Sequence, residues 1–133
     1  MNYVVDSSAL IALLWNEQGG VTVSDIIDNR DNSCFIHVVN LCEVYYDLIR
    51  RTGKSEAEKS VESLSSIITV RDDIDKEFWK QIGDYKAEIK RISLADFFCM
   101  VLAKRLNSIL ITADHHEFDT IYTTGIVSVK FIR

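Results

Sequence analysis

The sequence predicts an α/β fold, with a mostly parallel sheet covered by helices on both faces. Three observations predict it. Strand-like segments alternate with helical patterns along the whole chain. The strands are continuous apolar runs, as in sheets buried on both sides, and lack the in–out alternation of a half-solvated sheet. The helical segments carry apolar residues three and four positions apart.

Asn2-Tyr3-Val4-Val5 reads as a short buried strand. Ser7 or Ser8 can cap a helix over residues 9–15. Gly19-Gly20 breaks the chain, and a helix follows over residues 21–28 with Val23, Ile26 and Ile27 on one face. Residues 29–32 form a turn before a second strand at 34–38. Asn40 is the expected cap of the next helix, which bears Leu41, Val44, Tyr45 and Leu48 and ends near Thr52-Gly53. Ser55 starts another helix, with Ala57, Val61 and Leu64 apolar, and residues 67–70 make the third strand. A long helix over 75–90 directs Phe78, Trp79, Ile82 and Tyr85 to the core. Ser93 caps a helix over 94–106 that is apolar almost all round, hence central. Residues 108–112 form the fourth strand, 114–122 a short helix, and 126–129 a fifth strand at the C-terminal edge.

A chain of 133 residues with 47% hydrophobic content suits one domain, residues 1–133, with a real core. It contains no proline, so turns rely on Gly, Asn, Asp and Ser. Repeats, linkers and low-complexity tracts are absent. The apolar run at 9–15 is too short to cross a bilayer and no basic leader precedes it, so neither a signal peptide nor a membrane anchor is expected. Cys34, Cys42 and Cys99 lie in apolar contexts without a C-x-x-C. They read as buried thiols of a cytoplasmic protein.

Four acids sit where strands hand over to helices: Asp6, Glu43, Asp96 and Asp114. Three of them lie beside strongly apolar runs. In an open parallel sheet, ligands bind outside the carboxyl ends of the strands at a topological switch point. Asp6 ends the first strand and Asp114 follows the fourth, while Glu43 and Asp96 lie early in helices. All four can therefore face one crevice. Each has a local alternative. Asp96 stands at capping-box spacing from Ser93, and Asp114 can cap its own helix with Glu117 at the matching place. Asp6 can favour a helix dipole, and Glu43 can be an exposed helix acid.

Caps have no reason to converge on one end of one sheet. Converging carboxylates repel, and their pKa values rise unless a cation joins them. Mg²⁺ or Mn²⁺ suits such oxygen ligands. Asp6 and Asp96 are the expected ligands, with Asp114 and Glu43 completing the shell or positioning a water. Ser7, Asn40 and Thr112 are placed to hydrogen-bond those carboxylates. The matching chemistry is metal-assisted phosphodiester hydrolysis. No Ser-His-Asp or Cys-His nucleophile, Gly-rich phosphate loop or zinc spacing is present.

The net charge of −5 disfavours a protein that grips nucleic acid through a broad basic face. Setting the four acids aside, however, acids and bases nearly balance. The bases cluster at Arg50, Arg51 and Lys54, at Lys86, Lys90 and Arg91, and at Lys104 and Arg105. Basic rims around an acidic pocket are compatible with this pattern.

At Val4-Val5-Asp6-Ser7-Ser8-Ala9-Leu10, Asn40-Leu41-Cys42-Glu43-Val44, Ser93-Leu94-Ala95-Asp96 and Ile111-Thr112-Ala113-Asp114, the chain resembles a PIN-domain nuclease, most closely a VapC-type toxin ribonuclease. The resemblance spans nearly the whole chain. It implies a three-layer α/β/α fold with five strands in the order 3-2-1-4-5. It implies a Mg²⁺- or Mn²⁺-dependent endoribonuclease whose catalytic acids are Asp6, Glu43, Asp96 and Asp114. It also implies a homodimer and a cognate antitoxin that inserts a peptide near the site. The fourth segment is the loosest match: His115-His116-Glu117-Phe118 follows Asp114, and Asp119 is a second candidate for the fourth acid. Trp15 and Tyr46 are candidate partner-facing aromatics, whereas Trp79, Tyr45 and Phe97 are expected in the core.

Three other readings remain at this stage. A housekeeping PIN ribonuclease without an antitoxin shares every residue named. A metal-free binding module would have no reason to keep all four acids. A receiver-like domain that accepts a phosphoryl group on aspartate needs an adjacent acidic pair after the first strand, where Ser7-Ser8 stand. It also needs a late lysine after a strand, and only its acceptor has a candidate, in Asp72 or Asp73.

Overall fold

The computed structural model describes all 133 residues. Its elements run β1 (Asn2–Val5), α1 (Ser7–Leu14), α2 (Gly20–Asp28), β2 (Ser33–His37), α3 (Val38–Thr52), α4 (Lys54–Ile67), β3 (Thr69–Arg71), α5 (Lys76–Glu88), α6 (Leu94–Arg105), β4 (Ile109–Thr112), α7 (His115–Thr124) and β5 (Val129–Phe131). The order of strands and helices is the one the sequence predicts. All five strands are parallel, in the order β3–β2–β1–β4–β5. The chain moves outward from β1 to one edge and then returns to place β4 on its other side. The switch point lies between β1 and β4, where Val5 pairs with Ile111.

Two cores cover the two faces of the sheet. Successive strand residues point to opposite faces. Tyr3, Val5, Cys34, Ile36 and Ile111 therefore pack with α1, α2, α3 and α4, while Val4 and Leu110 pack with α5, α6 and α7. Helix α6 is buried nearly all round, from Phe97 to Ala103, as its apolar circumference requires.

Several local expectations are corrected. The α3 helix starts at Val38, and His37 caps it by accepting the Val39 amide at Nδ1 (3.1 Å). Asn40 is therefore a fully buried residue inside the helix. Ser7 and Ser8 likewise lie inside α1, whose N-cap is Asp6. The last strand is displaced from 126–129 to Val129–Phe131. Helix α7 runs on to Thr124 and is closed by Gly125 at a left-handed φ of 71°, so Ile126 and Val127 fill the core beside it. Trp79 is 50% exposed, because its neighbour Phe78 takes the inward face of α5. Phe97 is buried as expected, and Tyr45 is partly buried. Cys42 is exposed on α3, whereas Cys34 and Cys99 are buried.

Candidate active site

Asp6 is the best-held acid. It leaves the end of β1, where its amide continues the ladder to the Ile111 carbonyl (2.9 Å), and its side chain is 1% exposed. Oδ2 accepts from Ser8 Oγ (2.7 Å) and from Thr112 Oγ1 (2.9 Å). Each hydroxyl in turn accepts a backbone amide: Ala113 donates to Ser8 and Asp114 to Thr112. With those lone pairs engaged, both hydroxyl protons are directed to the carboxylate. Ser7, the serine expected from sequence, reaches Oδ1 only at 3.5 Å; Ser8 makes the short bond. Burial raises the Asp6 pKa, the two hydroxyls oppose the rise, and the Glu43 charge adds to it.

Asp96 lies in the first turn of α6 and is 8% exposed. The Ser93 hydroxyl accepts its amide (3.2 Å) and donates to its Oδ2 (2.8 Å). A capping box would send the Asp96 carboxylate to the Ser93 amide. That amide is instead bound by Glu117 Oε2 at 3.1 Å, so Asp96 is not consumed as a cap. Burial, then the charges of Asp6, Glu117 and Glu43, push its carboxyl up to about 8.

Glu43 stands half-buried in the second turn of α3. Its Oε1 accepts from Asn40 Nδ2 (3.2 Å), which also donates to the Ala95 carbonyl (3.2 Å). Asn40 thereby ties α3 to the start of α6. Its Oδ1 is buried without a partner. Asp114 caps α7 through Oδ1 and the Glu117 amide (3.1 Å), which leaves Oδ2 without such a bond. Oxygens of Asp96, Asp114 and Glu117 lie within 4.8 Å of one another. The buried Cys99 thiol is also raised, first by burial and then by Asp6, Asp96 and Glu43.

The structure thus brings Asp6, Glu43, Asp96 and Asp114 to the carboxyl ends of β1 and β4 and adds Glu117. No lysine, arginine or histidine forms an ion pair with any of these five. Crowded acids without a counter-charge, partly out of water, fit a hard divalent cation bound through oxygen. The orphaned Asn40 Oδ1 adds one more oxygen that needs a partner. Asp119 does not join them: it is exposed and bound to His115 Nδ1 (2.8 Å). His115 turns away, stacking on Phe131 at 4.0 Å between centroids. Sequence reasoning treated Glu117 only as a cap. Its signal is the three-residue step from Asp114, which puts both on one side of a helical turn.

Of the two acceptor candidates for the receiver alternative, Asp72 and Asp73, the second is already engaged. Arg71 and Arg105 both bind that carboxylate and hold it well below the usual range, so it has no free oxygen edge for a phosphoryl group.

The PIN domain family profile matches residues 3–123. No curated protein matches the chain. Among solved structures, the chain is similar to VapBC2 from Rickettsia felis bound to a DNA fragment from their promoter, with a TM-score of 0.76, 17% identity and coverage of 98% of each chain. It is also similar to VapBC-1 from nontypeable Haemophilus influenzae, with a TM-score of 0.75, 19% identity and coverage of 99% of this chain and 98% of that one. A third is VapC20 from Mycobacterium tuberculosis, described as a sarcin-ricin loop cleaving toxin, with a TM-score of 0.73, 18% identity and coverage of 96% and 98%.

Proposed function

This chain belongs to the PIN-domain family, and from that premise we propose that it is a Mg²⁺- or Mn²⁺-dependent endoribonuclease, the toxin of a type II toxin–antitoxin pair. The observation that carries this reading is the group of Asp96, Asp114 and Glu117, with Asp6 and Glu43 near enough to raise the Asp96 carboxyl, and with no ionic partner for any of the five. Asp6, Glu43, Asp96 and Asp114 are the proposed catalytic and metal-binding acids, with Ser7, Asn40 and Thr112 behind them and Ser8 and Glu117 added to the set.

A Mg²⁺ or Mn²⁺ held by these acids would act as a Lewis acid toward water and phosphate. The chain's own groups do the rest. Asp6 is held in one rotamer by Ser8 and Thr112, so its free oxygen is aimed before any ligand arrives. Burial and the neighbouring acids push the Asp96 carboxyl up to about 8, so without a cation it would hold a proton at neutral pH, and a bound cation would favour its release. Asn40 fixes Glu43 Oε1, and Glu43 or Asp114 would position the attacking water, whose proton a carboxylate takes. Asp114 and Glu117 close the α7 side.

The antitoxin partner is supported by similar structures described as VapBC2, VapBC-1 and a toxin-antitoxin complex from Klebsiella pneumoniae. A surface feature fits it as well. An apolar cleft lined by Val38, Leu41, Cys42, Tyr45 and Val61 opens between α3 and α4, and Cys42 is the residue before Glu43. Such a cleft is of the kind that takes the apolar face of a peptide, and it opens on the side of α3 turned away from Glu43. We further assign the chain as one nuclease domain over residues 1–133, a homodimer that works in the cytoplasm. The test is cleavage of end-labelled RNA in Mn²⁺ by wild type, Asp6→Asn and Asp96→Asn. Each variant is expected to lose at least about 100-fold in rate, the loss of a few kcal/mol of transition-state stabilisation. Equal cleavage by all three would place the activity elsewhere.

A further inference from the structure

The arginines of this protein divide by what neutralises them. Arg51, Arg71, Arg105 and Arg133 each pair with a carboxylate. Arg30 and Arg50 lie on the surface without such a partner. Arg91 is different: its guanidinium is anchored, donating to the His116 carbonyl at 2.6 Å, yet its charge meets no carboxylate. Only one of its five N–H donors is engaged by that bond.

The anchor places it beside the acids. The carbonyl that receives Arg91 belongs to the peptide whose N–H, from Glu117, donates to Asp114 Oδ1. One peptide unit therefore separates the guanidinium from the acid cluster, a path of at most about 8 Å given standard peptide dimensions. The same bond polarises that peptide and strengthens its donation to Asp114. The loop bearing Arg91 is braced on both sides. Lys86 Nζ donates to the Lys90 and Ile92 carbonyls (2.8 and 2.6 Å), and Ser93 binds Glu117. An exposed cation anchored one peptide from Asp114, and paired with no carboxylate, is available for an anion from outside.

We infer that Arg91 grips the substrate: its guanidinium binds a phosphate of the RNA backbone next to the one positioned for cleavage. This rests on the nuclease reading above. A planar fork of donors suits a phosphate, and the single positive charge answers the repulsion that a polyanion would meet on approaching an acidic crevice.

The test compares Arg91→Gln and Arg91→Lys with Arg30→Gln. Glutamine removes the charge and retains an amide donor for His116. Arg30 lies in the turn entering β2, at the opposite end of the sheet, and controls for net charge. Binding of a labelled single-stranded RNA oligonucleotide is followed by anisotropy across a salt series, with Ca²⁺ replacing Mn²⁺ to prevent turnover. Arg91→Gln is expected to reduce the slope of log K against log salt by about 0.7 and to weaken binding about fivefold near 0.1 M salt, the signature of one lost phosphate contact. Arg91→Lys keeps the slope, and Arg30→Gln keeps both. The melting temperature and its rise with Mn²⁺ stay at wild-type values in all three. A wild-type slope in Arg91→Gln overturns the assignment, as does an equal loss in Arg30→Gln. Loss of the Mn²⁺ response in Arg91→Gln also overturns it, by making Arg91 a brace of the loop. A wild type that takes up Mn²⁺ but binds no RNA instead removes the nuclease reading beneath it.

Discussion

Replacing Asp96 with asparagine should stabilise the metal-free protein increasingly as pH rises, and added metal should narrow that advantage by stabilising wild type alone. The carboxyl is buried beside Asp6, Glu43 and Glu117 and titrates at about 8, against an unperturbed value of about 4. The folded state therefore holds a proton that the unfolded chain has lost across the whole window from pH 4 to 8. Binding more protons folded than unfolded means that stability falls as pH rises through that window and levels off above it. At about 1.4 kcal/mol per unit, the accumulated cost by pH 9 is about 5 kcal/mol, of which only about 1 kcal/mol is present at pH 5. Asparagine has nearly the same shape and no charge, so it escapes the cost. Its advantage over wild type should grow by about 4 kcal/mol from pH 5 to pH 9, which for a chain of this size is a relative rise in melting temperature of ~10 °C or more. The raised Asp6 carboxyl acts in the same direction in both proteins, and relief of its repulsion from Asp96 adds to the gain. The assay is thermal unfolding in EDTA at the two pH values, repeated in millimolar Mn²⁺. Wild type gains from ligand that binds only the folded state, about 2.7 kcal/mol at a hundredfold excess over Kd, and the variant gains little. Parallel pH profiles of the two proteins in EDTA would refute the argument, because they would mean that ionising Asp96 costs the folded state nothing.

Other consequences are separable. Metal uptake at pH 7 should release about one proton from Asp96, so the calorimetric enthalpy should vary with the ionisation enthalpy of the buffer; identical enthalpies in phosphate and Tris would contradict it. Glu117→Gln should weaken Mn²⁺ binding roughly 10-fold with little loss of stability, since glutamine can still accept the Ser93 amide; an unchanged Kd would remove Glu117 from the cation's surroundings. The double change Ser8→Ala with Thr112→Ala strips Asp6 Oδ2 of both donors and should cost about 2–4 kcal/mol of stability in the loaded protein, whereas Ser7→Ala should cost under 1 kcal/mol. Equal effects in an unfolding titration would contradict the distances.

Much of this protein was legible along the chain, because the signals concerned are local. Continuous apolar runs, 3.6-residue apolar periods, breaks at Gly19-Gly20 and Gly53, and the Ser93 cap each span a few positions, and they returned the order of all twelve elements. The placement of Asp6, Glu43, Asp96 and Asp114 at strand-to-helix junctions was equally readable. Local ambiguity is what misplaced β5: residues 126–129 are as apolar as 129–131, and only the extra turn of α7 decides which of them pair with β4.

The site itself is a different matter. Ser8 and Thr112 meet on Asp6 only because β1 and β4 are neighbours, a pairing across a hundred residues that no window of sequence contains. Glu117 is a helix cap by spacing, and it becomes part of the acid cluster because the loop before α6 presents the Ser93 amide to it. His37 displaces Asn40 as a cap because a buried imidazole, packed between Phe78 and Phe98, accepts the Val39 amide. Composition and period thus determined where each acid sits on its own element. Which acids share a field, and therefore which hold protons or call for a cation, was decided by tertiary packing, since repulsion and desolvation depend on distance through space and on exclusion of water.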